Sequence, residues 1–410
     1  VLCDTVRGDR KYVKSDDPDN ETTIGNSANG ILSFDNNGFT MGGNIESLNA
    51  NNEEVAAYTF RKQRNFFDVV TYTGTGVNRT VSHNLGSVPG CIMVKNLTTN
   101  VGWRVYHRAT DASNPGNYYL ELDTKAARAP GSSIFQDTAP TASEFSIGDN
   151  GSVNTLNENY VAYLFAHDAG GFGEDGTNNV IQCGTYTGNG SSDGPKISIG
   201  WQPQWMMTKG VSGTGADATN WVISDILKGW RGQDDELLDA DATGGEYANV
   251  QTGYLRGDGV KITSTYQNTN NVVYVYIAIR ACDGVTGKLP ATGLDAFQPT
   301  FGNAQGFDTG LAFTTIGWSP DWAITKQWSA SSSNLQAAAR IRFRKYNITN
   351  GNDAESHNND QRWNKSGGFG DGSGYNGSHE GWLWKKGPGF DTLTYKGNGN
   401  SWPNTNTITH

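Results

Sequence analysis

One spacing constrains this chain more than anything else in it. Leu85-Gly86-x-x-Pro89-x-Cys91-x-x-x-Lys95 recurs as Ile199-Gly200-x-x-Pro203-x-Trp205-x-x-x-Lys209 and again as Ile316-Gly317-x-x-Pro320-x-Trp322-x-x-x-Lys326, without a gap, at separations of 114 and 117 residues. A period of that length means whole small domains in tandem, since solenoid turns repeat every 20 to 50 residues or so. A second element precedes the first two copies: Phe67-Asp-Val-Val-Thr-Tyr72-Thr-Gly-Thr-Gly76 and Val180-Ile-Gln-Cys-Gly-Thr-Tyr186-Thr-Gly-Asn-Gly190. It returns near the end as Phe390-Asp-Thr-Leu-Thr-Tyr395-Lys-Gly-Asn-Gly399, and in degraded form around Phe297 to Gly302. Each copy closes on an alternating aromatic run: Val55 to Phe60, Tyr160 to Phe165, Val273 to Ala278 and, less regularly, Trp382 to Trp384.

Alternation with period two is a strand signal, with one face packed and one wet. In this alignment Val273-Tyr-Val-Tyr276 stands under Tyr160-Val-Ala-Tyr163, and Trp103-Arg-Val-Tyr-His107 over Trp221-Val-Ile-Ser-Asp225. Turns such as Asn36-Asn37-Gly38, Asp149-Asn150-Gly151 and Gly257-Asp258-Gly259 separate about eight short strands in each full copy, and their left-handed-tolerant residues suit tight reversals. The expected fold is all-β: tandem antiparallel β-sandwich modules of jelly-roll or concanavalin-A-like lectin type, about 100–115 residues per repeat. The expected divisions are 1–66, the later part of a repeat; 67–177 and 178–292, full repeats; 293–388, a divergent repeat; and 389–410, the opening strand of a further one. The Gly- and Pro-containing joints 168–176, 283–293 and 386–389 predict beads on a string. Since 1–62 match only the later strands of a repeat, either the chain is a fragment of a longer polypeptide or one copy's last strand completes another's first domain.

In the shared motif, Gly86, Gly200 and Gly317 supply a turn or close approach. Pro89, Pro203 and Pro320 start or edge a strand, and Cys91, Trp205 or Trp322 points inward. Lys95, Lys209 and Lys326 lie on the same strand face by parity, where a lysine is expected to snorkel at the sheet margin.

Composition fits thin β-layers: 53 glycines in 410 residues, with 12 Trp, 17 Tyr and 16 Phe. The charged fraction is 18 % and the formal charge −10, a hydrated, nearly neutral surface without the basic clusters nucleic-acid binding needs. The best basic run, Arg340 to Lys345, alternates like a solvated strand face. No apolar run nears the 18 or so residues of a membrane helix, so no membrane insertion is expected. Val1-Leu2-Cys3-Asp4 carries neither a basic leader nor an apolar signal segment. Cys3, Cys91, Cys183 and Cys282 show no zinc spacing and read as free thiols or small buried apolar residues, with a sparse disulfide set as the other reading.

No catalytic motif is present: the six histidines form no HExxH or HxH pattern, and GxSxG, a P-loop and a helix-opening GxGxxG are missing. Glu121-Leu122-Asp123 resembles the paired carboxylates that some glycosidases place on one strand, but its cognate Glu236-Leu-Leu-Asp239 breaks the spacing. The acidic runs Asp16 to Glu21 and Asp234 to Glu236 would suit Ca²⁺ chemically, yet neither matches a Ca²⁺ loop; no cofactor is expected. Trp201, Trp230, Trp318 and Trp328 are candidates to stack on sugar rings, packing in the core or between domains being the alternative use of such residues.

The strings Tyr72 to Gly76, His83 to Pro89, Val94 to Asn96, Trp103 to Arg108 and Tyr160 to His167 resemble repeat modules of large structural proteins from marine tailed phages, cyanophages and pelagiphages above all. The likeness is closest over 67–168, good over 178–283, partial over 1–62 and weak over 293–388. It implies a non-enzymatic virion protein of tail or fibre type, built of lectin-like sandwiches and contributing to attachment to a host-surface glycan or protein. The implied partners are other virion subunits, in a homo-oligomer that is a trimer or a helical array. An extracellular filament or adhesin subunit assembling by strand exchange is the alternative, and a polysaccharide-degrading enzyme a third.

Overall fold

The computed structural model describes residues 1–281, apart from Ser27, 36–37, 52–54, Glu174, 217–218, 227–228, 231–234 and Thr265, and beyond them eight strands between 297 and 384. The N-terminal unit holds β1 (Lys11–Tyr12), β2 (Thr22–Thr23), β3 (Ile31–Asp35) and β4 (Gly38–Met41). The first full unit follows with β5 (Phe67–Thr73), β6 (Arg79–Ser82), β7 (Pro89–Asn96), β8 (Arg104–His107), β9 (Tyr118–Tyr119), β10 (Ala129–Pro130), β11 (Glu144–Ile147) and β12 (Asn159–Ala166). The second has β13 (Ile181–Thr187), β14 (Lys196–Ser198), β15 (Pro203–Ser212), β16 (Val222–Asp225), β17 (Asp235–Asp239), β18 (Tyr247–Val250), β19 (Gly253–Arg256), β20 (Gly259–Ile262) and β21 (Val273–Arg280). The divergent unit has β22 (Phe297–Asn303), β23 (Trp322–Gln327), β24 (Gln336–Ala339), β25 (Lys345–Ile348), β26 (Ser356–His357), β27 (Gln361–Arg362), β28 (Gly370–Asp371) and β29 (Ser378–Trp384). Helix is confined, among the described residues, to single turns such as Ser132–Phe135 and Gly151–Asn154.

The architecture is all-β, and among the described residues every strand ladder is antiparallel. One strand order recurs: β5-β12-β7-β8, β13-β21-β15-β16 and β22-β29-β23-β24. In each, the closing strand inserts between the opening strand and the strand that carries the Lys of the shared motif. Smaller sheets, β6 with β11 and β14-β20-β19, cover one face. In the second full unit Ile197, Leu255, Val260 and Ile262 of the small sheet join Met206, Tyr274, Tyr276 and Ala278 of the large one in a single core cluster, the interior of a sandwich.

The other face of each large sheet is where expectation and structure part. β7 is buried at all eight positions and β12 at all but its first, so the two central strands of the first large sheet keep no wet face. Met93, Val161, Tyr163 and Phe165 share one cluster with Trp205, Met207, Trp221, Val275 and Ile277 of the second full unit and Val13 of the N-terminal one. These three units are therefore fused through a common core and are not beads on a string, while the joints 283–293 and 386–389 lie outside the described residues. Burying a large apolar side chain is worth roughly 1.5–3 kcal/mol, so separating the units would forfeit an amount comparable with the 5–15 kcal/mol or so that holds a typical domain folded.

Two further corrections concern register and turns. Tyr160 lies opposite Tyr72 and Tyr274 opposite Tyr186, and both ring pairs stack at 5.0 Å. Tyr274, and not Val273, is thus the counterpart of Tyr160, and the one-residue shift turns Tyr276 into its own sandwich while Tyr163 faces the neighbouring unit. At Asp149-Asn150-Gly151 the chain makes a helical turn instead of a reversal: Asn150 caps it by accepting from the Ser152 N–H at 2.9 Å.

Candidate functional site: the joint between consecutive units

Strand parity places Lys95 on the outer face of β7 beside Cys91 and Met93, and Lys209 on that of β15 beside Trp205 and Met207. The expected snorkelling does not occur. Both lysines are wholly buried, because the preceding unit lies over that face. A buried ammonium needs acceptors, and both find main-chain carbonyls. Lys95 Nζ donates to Val101 O at 2.8 Å and Asp17 O at 3.5 Å; Lys209 Nζ donates to Lys125 O at 2.7 Å and to Thr219 O. Asp17 and Lys125 belong in each case to the unit before.

The tryptophan that precedes the next strand repeats the arrangement. Trp103 Nε1 donates to Lys14 O at 2.8 Å, and Trp221 Nε1 to Glu121 O at 2.7 Å. Their backbone N–H groups donate to Asp123 Oδ1 at 3.1 Å and Asp241 Oδ1 at 3.0 Å. Main-chain bonds complete the set, Glu21 N to Leu97 O at 3.3 Å and Arg128 N to Val211 O at 3.1 Å. One pattern of contacts thus joins the N-terminal unit to the first full unit and that unit to the second. Burial lowers the Lys95 ammonium to about 8 against the pull of Asp123 and raises Asp241 to about 6, as expected for charge removed from water.

A second set of contacts runs in a circle. Tyr163 of the first full unit donates to Asp4 Oδ2 of the N-terminal unit at 2.8 Å, with Arg7 donating to the same phenol at 3.0 Å. Asp4 corresponds to His107 and Asp225 in the later units. His107 Nδ1 accepts from the Ala109 N–H at 3.2 Å, which leaves the proton on Nε2 to be donated to Tyr276 O of the second full unit at 3.1 Å. Burial holds this imidazole neutral, its pKa lowered to about 3. Asp225 Oδ2 of the second full unit accepts from Tyr58 of the N-terminal unit at 2.7 Å, and the circle closes. Phe60 packs at its centre, edge-on to Phe165 at 5.7 Å and to Trp205 at 5.7 Å.

The motif glycines and prolines serve this frame. Pro89 and Pro203 are the first residues of β7 and β15, and Gly86 and Gly200 precede them in the left-handed region at φ +76° and +91°. Glu121 and Asp123, the pair nearest to a glycosidase arrangement, are both engaged in the joint. Asp17 and Glu21 of the first acidic run lie against the first full unit, while Asp235 of the second is buried and accepts from Thr252 N at 2.9 Å. Among the described residues no group of three or more His, Cys, Asp or Glu is placed to hold a metal ion.

Trp201 and Trp230 do not present rings to solvent: both are core residues of the second full unit. Trp318, Trp328, Gly317, Pro320 and Cys282 lie outside the described residues, as do the side chain of Lys326 and the run 340–344. Cys3, Cys91 and Cys183 are free thiols, the last two buried. Sequence reasoning missed two features. Tyr247 and Tyr266 form an exposed aromatic pair, 38 % and 50 % accessible with ring centroids 6.2 Å apart. Asn154 and Asn268 are buried and clamp the Gly-x-Gly turns: Asn154 Oδ1 accepts from Thr75 N and Asn268 Oδ1 from Asn189 N, both at 2.8 Å. Each stands 82 residues after the opening-strand tyrosine, a spacing that would have marked it.

Fold and joint together define a class: an all-β protein of fused sandwich units held by buried polar contacts. The chain belongs to the family described as Domain of unknown function (DUF7483), which matches residues 1–281 and so covers the N-terminal unit and both full units. No curated protein and no solved structure matches it.

Proposed function

We propose that this chain is a structural, non-enzymatic component of a tailed-phage virion, of tail or fibre type, that contributes to attachment at the host surface. The observation that carries this reading is the joint. Its buried lysines, tryptophans and carboxylates are committed to main-chain partners of the same or adjacent unit, a use suited to rigidity. The nearly neutral, Asn-, Ser- and Thr-rich surface suits contact with hydrated glycans, and the Tyr247–Tyr266 pair offers the aromatic planes on which sugar rings stack. An antibody raised against the chain should decorate the tails of intact particles in immuno-electron microscopy. Label confined to cell surfaces or cell-bound filaments would overturn the virion assignment, and release of reducing ends from host polysaccharide by the purified chain would overturn the non-enzymatic one.

A further inference from the structure

We propose that Tyr247, Tyr266 and Asp239 form a binding site for a neutral saccharide on the second full unit. The inference rests on the reading that this chain meets glycans at a host surface, and it adds the place and the kind of glycan. Tyr247 on β18 is 38 % accessible and Tyr266, between β20 and β21, 50 %, with ring centroids 6.2 Å apart. Neither has an aromatic counterpart in the first full unit. There Ala129 pairs with Tyr119 as Tyr247 pairs with Leu237, and Ser152 stands two residues before Asn154 as Tyr266 stands before Asn268. Residues 243–248 are all exposed, and a Cβ on Gly244 or Gly245 would meet nothing within 4 Å, so the approach to the rings is open.

In the two earlier units the equivalent place serves the joint. Lys14 O and Glu121 O accept the indole N–H of the next unit's tryptophan, and Asp239, two residues before Asp241 as Glu121 is before Asp123, occupies their position. The divergent unit keeps Lys326 but not the rest. Leu335 precedes β24 where Trp103 and Trp221 precede β8 and β16, and Ala339 faces Trp322 as His107 faces Cys91 and Asp225 faces Trp205. It lacks the groups that close the first two joints, which leaves the face at Asp239 to another partner. The chemistry of that face suits a sugar. Asp239 Oδ2 accepts from Asn220 Nδ2, and the same carboxylate accepts from the Tyr247 phenol, which fixes the ring before a ligand arrives. A carboxylate offers about four acceptor positions, so room remains for sugar hydroxyls, which donate. Asp241 is 8 % exposed and its Oδ2 has no hydrogen-bond partner, an acceptor that a bound hydroxyl would satisfy. The two aromatic faces would stack on the apolar face of a pyranose. With Asp239, Asp241 and Glu246 against Lys125, whose charge acts on Asp239, the site is net negative and repels an acidic sugar.

A glycan array carrying neutral oligosaccharides beside others that bear uronic or sialic acids, probed with the labelled full chain, tests this. Binding should fall on neutral members. Titrated calorimetrically with the tightest of them, Tyr266→Ser should bind about tenfold more weakly or worse, whereas Tyr266→Phe, which keeps the ring, should stay within about twofold of the parent. Asp239→Asn should weaken neutral binding and admit acidic members that the parent rejects. Where Tyr266→Ser lowers the melting temperature, Tyr266→Phe and Asp239→Asn decide alone. No neutral saccharide bound, acidic ones preferred, equal affinity in Tyr266→Ser, or loss in Tyr266→Phe overturns the site. The virion reading is judged apart, by the tail label: labelled tails with equal affinity in Tyr266→Ser remove this site and leave attachment standing, and unlabelled tails with neutral binding lost in Tyr266→Ser do the reverse.

Discussion

Trp103 and Trp221 each put an indole N–H on a carbonyl of the preceding unit while filling a core position. Phenylalanine at either site keeps most of the packing and strands a buried carbonyl, which costs about 1–3 kcal/mol. Trp221→Phe is therefore expected to lower the urea midpoint by an amount in that range without changing the slope of the transition. His107 gives the joint a pH dependence whose sign follows from its burial. With a folded pKa of about 3 and an unfolded one near 6.5, the unfolded chain binds the extra proton between those values. Stability from this group is full above about pH 6.5 and falls on acidification by up to about 1.4 kcal/mol per pH unit. Asp241 acts in the opposite sense. Its pKa is raised to about 6, so between its ordinary value near 4 and that point the folded chain holds the extra proton, and acidification stabilises through it. Urea titrations at pH 7, 5 and 4 should show a flatter acid loss in His107→Gln and a steeper one in Asp241→Asn.

Strands in this chain are tied at their ends by turns whose chemistry is specific. A Cβ on Gly188 would lie 2.2 Å from Thr269 O, and one on Gly74 2.0 Å from Thr155 O. Neither carbonyl is free to retreat, because the adjoining Thr269 and Thr155 N–H groups are fixed on the phenols of Tyr274 and Tyr160. Gly188→Ala should cost about 3 kcal/mol through overpacking, read as a lowered melting temperature, whereas Thr75→Ala in the first full unit, which removes a hydroxyl that donates to Val77 O at 3.2 Å and Asn154 Oδ1 at 3.5 Å on an exposed turn, should cost under about 1 kcal/mol. The Gly-x-Gly turns, the strands and their order of appearance were legible from Tyr72, Gly74, Pro89 and Lys95 and their repeats, because those residues are the ones the local backbone demands. The register of β21 was not. Val-Tyr-Val-Tyr-Ile is apolar at both parities, and with both faces buried no polar residue breaks the tie. Nor was the joint: Lys95 and Trp103 stand out in the sequence, but their acceptors are carbonyls of Lys14, Asp17, Glu121 and Lys125, and a backbone oxygen carries no mark of residue type.

Across the whole molecule the circle of contacts through Asp4, His107 and Asp225 makes the three described units interdependent, and this separates a fused assembly from independent domains. Tyr58 and Asp225 are 167 residues apart in sequence, so any energetic coupling between them must run through the closed arrangement. Burial and the Asp225 charge raise the Tyr58 phenol well above its ordinary value, as expected of a donor held on a carboxylate in a poorly hydrated place. In a double-mutant cycle, Tyr58→Phe and Asp225→Asn measured singly and together by denaturant unfolding should show a coupling of about 0.5–3 kcal/mol. A Tyr163→Phe and Asp4→Asn cycle at the corresponding contact should fall in the same range. Each single variant should also shift the transition of these three units as a whole, since the shared core leaves none of the three to melt alone. Coupling near zero in the first cycle, or a separate early transition for the N-terminal unit in Tyr58→Phe, would mean that the circle is open in solution and that the units hold together through the consecutive joints alone.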